Sequence, residues 1–119
     1  MKVKIKDYEF NIIETDDKTD KEFWNKEQDY LILFGNCNNV TCEIKIWKDL
    51  SDIQKRKTLT HELVHAFLFV YWGSHNIKEK YDNEDMCSFF EAYGEDILKI
   101  VTEYMLATTT AFKNKKNNK

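Results

Sequence analysis

Apolar and polar positions alternate at the start of the chain. Val3 and Ile5, then Tyr8, Phe10 and Ile12, recur at spacing two and predict an N-terminal strand or hairpin. The stretch ETDDKTDKEFWNKEQ is polar around a Phe23-Trp24 anchor and predicts a loop with a short helix. DYLILFGNCNNVTCEIKIWKDL predicts a β-hairpin. With Asn38-Asn39 as a two-residue turn, Cys37 faces Val40 and Gly35 faces Cys42. Leu31, Leu33, Gly35 and Cys37 then share an apolar face with Val40, Cys42, Ile44 and Ile46, while Thr41, Glu43 and Lys45 point the other way. Beyond residue 50 the period becomes helical. Ser51 with Gln54 forms a capping-box pattern, and the helix it opens runs to about Trp72 and stops at Gly73. GSHNIKEKYD reads as a connecting loop. Asp82 or Asn83 caps a second long helix, expected to reach about Phe112. Its apolar stripe includes Met86, Phe90, Tyr93, Ile97, Val101, Tyr104 and Met105. This order predicts an α+β fold in which a small antiparallel-type sheet packs on two helices. The expected domain spans residues 1–112, followed by a polar basic tail at 113–119.

The first helix carries HELVH at positions 61 to 65. His61 and His65 are four apart, so their side chains leave one helix face about 5–6 Å apart. Two imidazoles so placed can both reach one zinc ion at about 2.0–2.1 Å. Glu62 then stands beside the metal rather than on it, where it can take a proton from water that the metal activates. The flank AFLFVYW is apolar around much of the helix, which predicts burial. Buried histidines and a buried glutamate are costly unless they are paired or bind metal. The expected cofactor is therefore one Zn²⁺ per chain.

A catalytic zinc needs a third protein ligand and an open position. His75 lies in the loop, and Leu68 and Tyr71 stand where HExxHxxGxxH would need glycine and histidine. A glutamate from the second helix is the other solution, with Glu84, Glu91 and Glu95 as candidates and Cys87 as an outsider. These four lie within roughly 80° on that helix. Spacing alone leaves Glu84 and Glu91 nearly even. The segments DLSDIQKRKTLTHELVHAFL and NEDMCSFFEAYGEDIL resemble the small phage- and prophage-borne zinc metallopeptidases of the ImmA/IrrE type. The TLxHExxH core, the strand CEIKIWKDL before it and the glutamate-led helix after it carry the likeness, over about residues 29 to 106. The resemblance implies a minimal zincin-like fold, Glu84 as third ligand, Glu62 as catalytic residue, and a protein or peptide substrate in the cytoplasm of a bacterial host. Cys87 stands where the family often has alanine, and the helix-turn-helix domain of some relatives has no counterpart here.

Composition narrows the partners. The chain of 119 residues has a formal net charge of −3, and no basic face stands out that would make nucleic acid a direct partner. The longest strongly apolar run is about ten residues, too short for a membrane span. Three cysteines at irregular spacing suggest a reduced, cytoplasmic setting, with Cys37 and Cys42 as small buried thiols. A peptide substrate is expected along the edge of the strand around Thr41–Trp47. His75 and Tyr81 are candidate transition-state donors, and Ser88 or Glu91 could orient a ligand histidine. Phe89, Tyr93 and Tyr104 would form a partner surface if exposed. The reading from a different class is a zinc-binding interaction module without turnover, its site closed by Cys87 or His75.

Overall fold

The computed structural model describes residues 1–73 and 81–117, with side chains described as far as residue 108. The alternating N-terminus forms a hairpin of β1 (Lys2–Ile5) and β2 (Tyr8–Thr15), with Val3 opposite Phe10 and Ile5 opposite Tyr8. Val3, Ile5, Phe10 and Ile12 are buried on one face, as period two requires. The polar stretch that follows makes turns rather than a short helix. It leads into a two-stranded sheet of β3 (Trp24–Asn25) and β4 (Tyr30–Leu31). Phe23 anchors it, fully buried, and both Phe23 and Trp24 stack on Trp47.

The second hairpin pairs β5 (Gly35–Asn38) with β6 (Glu43–Trp47), but not in the expected register. Cys37 faces Ile44 and Gly35 faces Ile46. The turn is longer than two residues because the Asn38 side chain accepts hydrogen bonds from the Val40 and Thr41 amides and Cys42 turns left-handed at φ 56°. Each partner on β6 lies four residues beyond the expected one, Ile44 for Val40 and Ile46 for Cys42, an even slip that keeps Gly35, Cys37, Ile44 and Ile46 on one face while Leu33 is exposed. Val40 pays for no burial there and protrudes at 93% exposure on the turn.

The main sheet has the order β1-β2-β6-β5 and is mixed rather than antiparallel throughout. β2 and β6 run parallel, with Ile12 beside Ile44. Their parallel pairing is possible because the long segment between them, which contains β3, β4 and β5, returns the chain to the same end. Ile12, Ile44 and Ile46 form the floor of the core.

Ser51 caps α1 (Asp52–Phe67) with both bonds of the capping box. The helix continues into a π-helical turn (Leu68–Trp72) and ends at Gly73 in the left-handed conformation, φ 65°. Helix α2 (Asn83–Asn117) opens with reciprocal bonds between Asp82 and Asp85 and runs beyond the expected end, through part of the basic tail. Its buried stripe contains Phe89, Ile97, Val101 and Tyr104, while Phe90 is exposed. The stripe therefore enters at Phe89, four residues before Tyr93, not at Phe90. The buried Phe89 and Tyr104 and the partly covered Tyr93 are core, so the partner surface expected from them does not exist. Tyr104 donates to Glu14 on β2 at 2.6 Å, and Lys55 on α1 reaches the same carboxylate oxygen at 3.1 Å. Sheet and both helices meet at this carboxylate. Among the described residues no helix is long and apolar enough to cross a membrane.

Candidate metal centre

Helix α1 lies against β5 and β6 with Leu59, Leu63, Ala66 and Phe67 buried beneath it. This seating decides where HELVH points. His61 is exposed, Glu62 is buried at 6% exposure, and His65 is half-buried. The Nε2 atoms of His61 and His65 lie 3.2 Å apart. Two nitrogens bound at about 2.0–2.1 Å to one tetrahedral ion would stand about 3.3 Å apart, so the pair fits a zinc ion. Ligand atoms of His61, Glu62 and His65 all fall within 4.8 Å of one another, and this is the metal-capable cluster among the described residues.

Glu62 points toward the edge strand. A Cβ on Gly35 would come 2.5 Å from Thr58 Cγ2 and 3.3 Å from Glu62 Cγ, so only glycine lets β5 approach α1 this closely. Glu62 Oε1 stands 3.9 Å from His61 Nε2, while its buried Oε2 has no hydrogen-bond partner among the described residues. A buried oxygen without a donor is costly. Burial pushes the Glu62 carboxyl above the usual carboxylate range, and the neighbouring His61 offsets this only in part. Burial also holds His65 below the ordinary imidazole value, with the charge of His61 adding to the effect. Neutral imidazoles are the form that binds metal.

Two openings flank Glu62. One, of about 540 Å³, is lined by Ile32, Leu33, Phe34, Lys57, His61 and Glu62, among others. The other, of about 340 Å³, has Cys37, Asn39, Glu62 and His65 among its walls. The Cys37 thiol is pushed up to about 12 by burial, then by the charges of Glu62 and Cys42. It faces the site as a neutral thiol. Its sulfur and that of Cys42 remain free of any disulfide and both bond to Asn39.

No family model matches the chain, and no curated protein or solved structure matches it either.

The structure brings His61, Glu62 and His65 together, and the other candidates stand apart from them. Glu84 lies on the exposed first turn of α2, and Glu91, Glu95 and Cys87 are exposed further along it. None belongs to the three-residue cluster. Ser88 is exposed as well. Tyr81 donates to the Trp72 carbonyl and packs against the Trp72 ring at a tilt, which makes it part of an aromatic cluster rather than a donor at the site. His75 lies outside the described residues. The expected substrate edge around Thr41–Trp47 needs correction. β6 is paired on both sides, by β2 and β5, and β5 is the edge strand beside HELVH. Gly35, Cys37 and Phe34 escaped notice as parts of the site. A glycine inside a predicted strand was the available signal for close approach, and Gly35 answers it.

Proposed function

We propose that the chain is a zinc-dependent metallopeptidase that hydrolyses a peptide bond in a cytoplasmic protein. The observation that carries this reading is the pair of facing imidazole nitrogens, 3.2 Å apart, beside a buried carboxylate oxygen that has no partner among the described residues. His61 and His65 would hold the ion. Glu84 is the proposed third ligand, taken from the resemblance to ImmA/IrrE-type peptidases; it forms no hydrogen bond or ion pair with a described residue. When bound, zinc supplies Lewis-acid polarisation of a carbonyl and makes water acidic near neutral pH. Glu62 accepts the proton of the attacking water on its unpartnered oxygen and returns it to the leaving amine. Burial suits this task, because a carboxylate with a raised proton affinity is a stronger base. The edge strand β5 offers main-chain groups of Gly35–Asn38 on the side away from β6, where a substrate backbone can align.

The test is zinc stoichiometry on the purified full chain and on variants. The expected result is one zinc per chain, lost with His61→Ala, weakened with Glu84→Ala, and retained with Glu62→Gln. Loss with Glu91→Ala instead would move the third ligand to that residue. A chain that takes up no zinc after reconstitution overturns the reading. Full zinc loading with a fourth protein ligand in place of an open position would favour the interaction module without turnover.

A further inference from the structure

Residues 16–29 are acidic in sum, yet the lysines among them line one cavity next to the candidate site. The opening beside His61 and Glu62 has the exposed Ile32, Leu33 and Phe34 on one wall and Lys57 on another. Ile32 also lines a second cavity of about 590 Å³ on the β3–β4 sheet. That cavity holds Lys18, Lys21 and Lys26 with Trp24, against a single acid, Glu27. The Lys18 ammonium lies 4.5 Å from the centre of the Trp24 ring, which helps to hold it over the cavity. Lys21, Lys26 and Lys57 form no ion pair with a described residue. Ile32 thus lines both cavities. One end is cationic, the middle is apolar, and the far end is the His-Glu-His cluster.

Exposed apolar side chains usually scatter. Here Tyr30, Ile32, Leu33 and Phe34 are exposed at 39–47% within five residues, held out by a rigid support. Ile32 donates to the Phe23 carbonyl at 2.7 Å, and the Phe34 carbonyl accepts from Trp47 at 2.8 Å. Fixing this segment outward costs burial. A ligand that supplies both apolar surface and negative charge complements the segment and the lysines beside it.

We infer that this groove selects the substrate: an acidic polypeptide segment joined to a large apolar residue. The acidic part lies over Lys18, Lys21 and Lys26. The apolar residue packs on Ile32 and Phe34 and so brings the adjoining peptide bond to Glu62. A substrate strand antiparallel to β5 runs from Asn38 toward Gly35 and leaves past Phe34 and Ile32, which puts its acidic part on the C-terminal side of the apolar residue. What happens to the bond at the end of the groove rests on the peptidase reading. Recognition along the groove does not.

The test is fluorescence anisotropy with the full-length Glu62→Gln chain, which separates binding from turnover. The probe is a fluorescein-labelled peptide in which a run of glutamates follows a leucine–phenylalanine pair. Two control peptides replace the glutamates by lysines or the apolar pair by serines, and oligothymidylate of equal length serves as a nucleic-acid competitor. The expected result is binding at least about tenfold tighter for the acidic-apolar peptide than for either control, weakening as salt rises. Combined Lys18→Glu, Lys21→Glu and Lys26→Glu should reverse the charge preference toward the lysine peptide. These side chains are exposed, so the fold should survive, and circular dichroism checks it. Phe34→Ser should weaken binding without altering the salt dependence. Affinity that is indifferent to the charge reversal overturns the inference, as does tighter binding of oligothymidylate. Zinc uptake with no peptide binding would sink the groove and spare the peptidase reading. Peptide binding by a chain that takes up no zinc would do the opposite.

Discussion

Glu62 shows how one side chain can be costly and useful at once. It is buried, and one of its oxygens lacks a donor. Its folded carboxyl holds the proton more tightly than an unfolded one, whose pKa is about 4.3. In the metal-free chain its contribution to stability is therefore fully present below about pH 4.3 and is lost as pH rises through the folded value. Glutamine has no charge to desolvate at any pH. Glu62→Gln should then gain stability relative to the natural chain as pH rises from about 4 to about 8. Denaturant unfolding in the presence of a chelator measures the difference, and a difference that stays flat with pH would mean that Glu62 is solvated. The cysteines offer a second check. Cys37 is half-buried with a thiol raised to about 12, whereas Cys87 is exposed. Alkylation by iodoacetamide near pH 7.5 should modify Cys87 well before Cys37, because the thiolate is the nucleophile. Peptide mass spectrometry would read the order, and equal rates would contradict the described burial.

Strand β5 and helix α1 approach through a single glycine. Gly35→Ala drives a methyl group into Thr58 Cγ2, the Lys45 carbonyl and Glu62 Cγ together. Backbone on one side and a short branched side chain on the other leave little room to yield. Overpacking of this kind costs about 1–3 kcal/mol. The expected outcome is a lower unfolding midpoint together with weaker zinc binding, since β5 and Glu62 move as a pair. A fully stable variant would show that the interface can relax. The ends of α1 were legible in the sequence, because Ser51, Gln54 and Gly73 act through local backbone geometry. The turn of the second hairpin was not. Asn38-Asn39 looks like a two-residue turn, yet the Asn38 side chain organises a longer one. Gly35, Cys37, Ile44 and Ile46 still share a face because the slip was even, whereas Leu33 and Val40 are exposed.

Across the whole chain, three layers converge on Glu14. Its carboxylate on β2 takes the Tyr104 hydroxyl from α2 and the Lys55 ammonium from α1. Burial, and then the bond to Glu14, raises the Tyr104 phenol above its ordinary value, so it stays a donor at physiological pH. Tyr104→Phe removes a bond to a charged acceptor and should cost about 1.5 kcal/mol, the low end for such bonds, because the Glu14 side chain is 28% exposed. Chemical denaturation would show the loss, and an unchanged midpoint would mean that water replaces the hydroxyl. Zinc should add stability by mass action, raising the thermal midpoint with the logarithm of free zinc in the natural chain and not in His61→Ala.

Local pattern alone specified much of this protein. Period-two apolar positions placed β1 and β2, the capping box placed α1, and four-residue spacing put His61 and His65 on one face. Each depends on neighbours a few residues away, which the chain carries in its own order. Tertiary structure decided the rest. That β6 lies parallel to β2, and that β5 is the edge strand, depends on how a long connection returns across the sheet. That Phe89 faces the core and Phe90 faces outward depends on how α2 is rotated against α1 and the sheet. The depth of Glu62 and its oxygen without a partner among the described residues come from segments distant in sequence, and burial at a site is set by what folds against it.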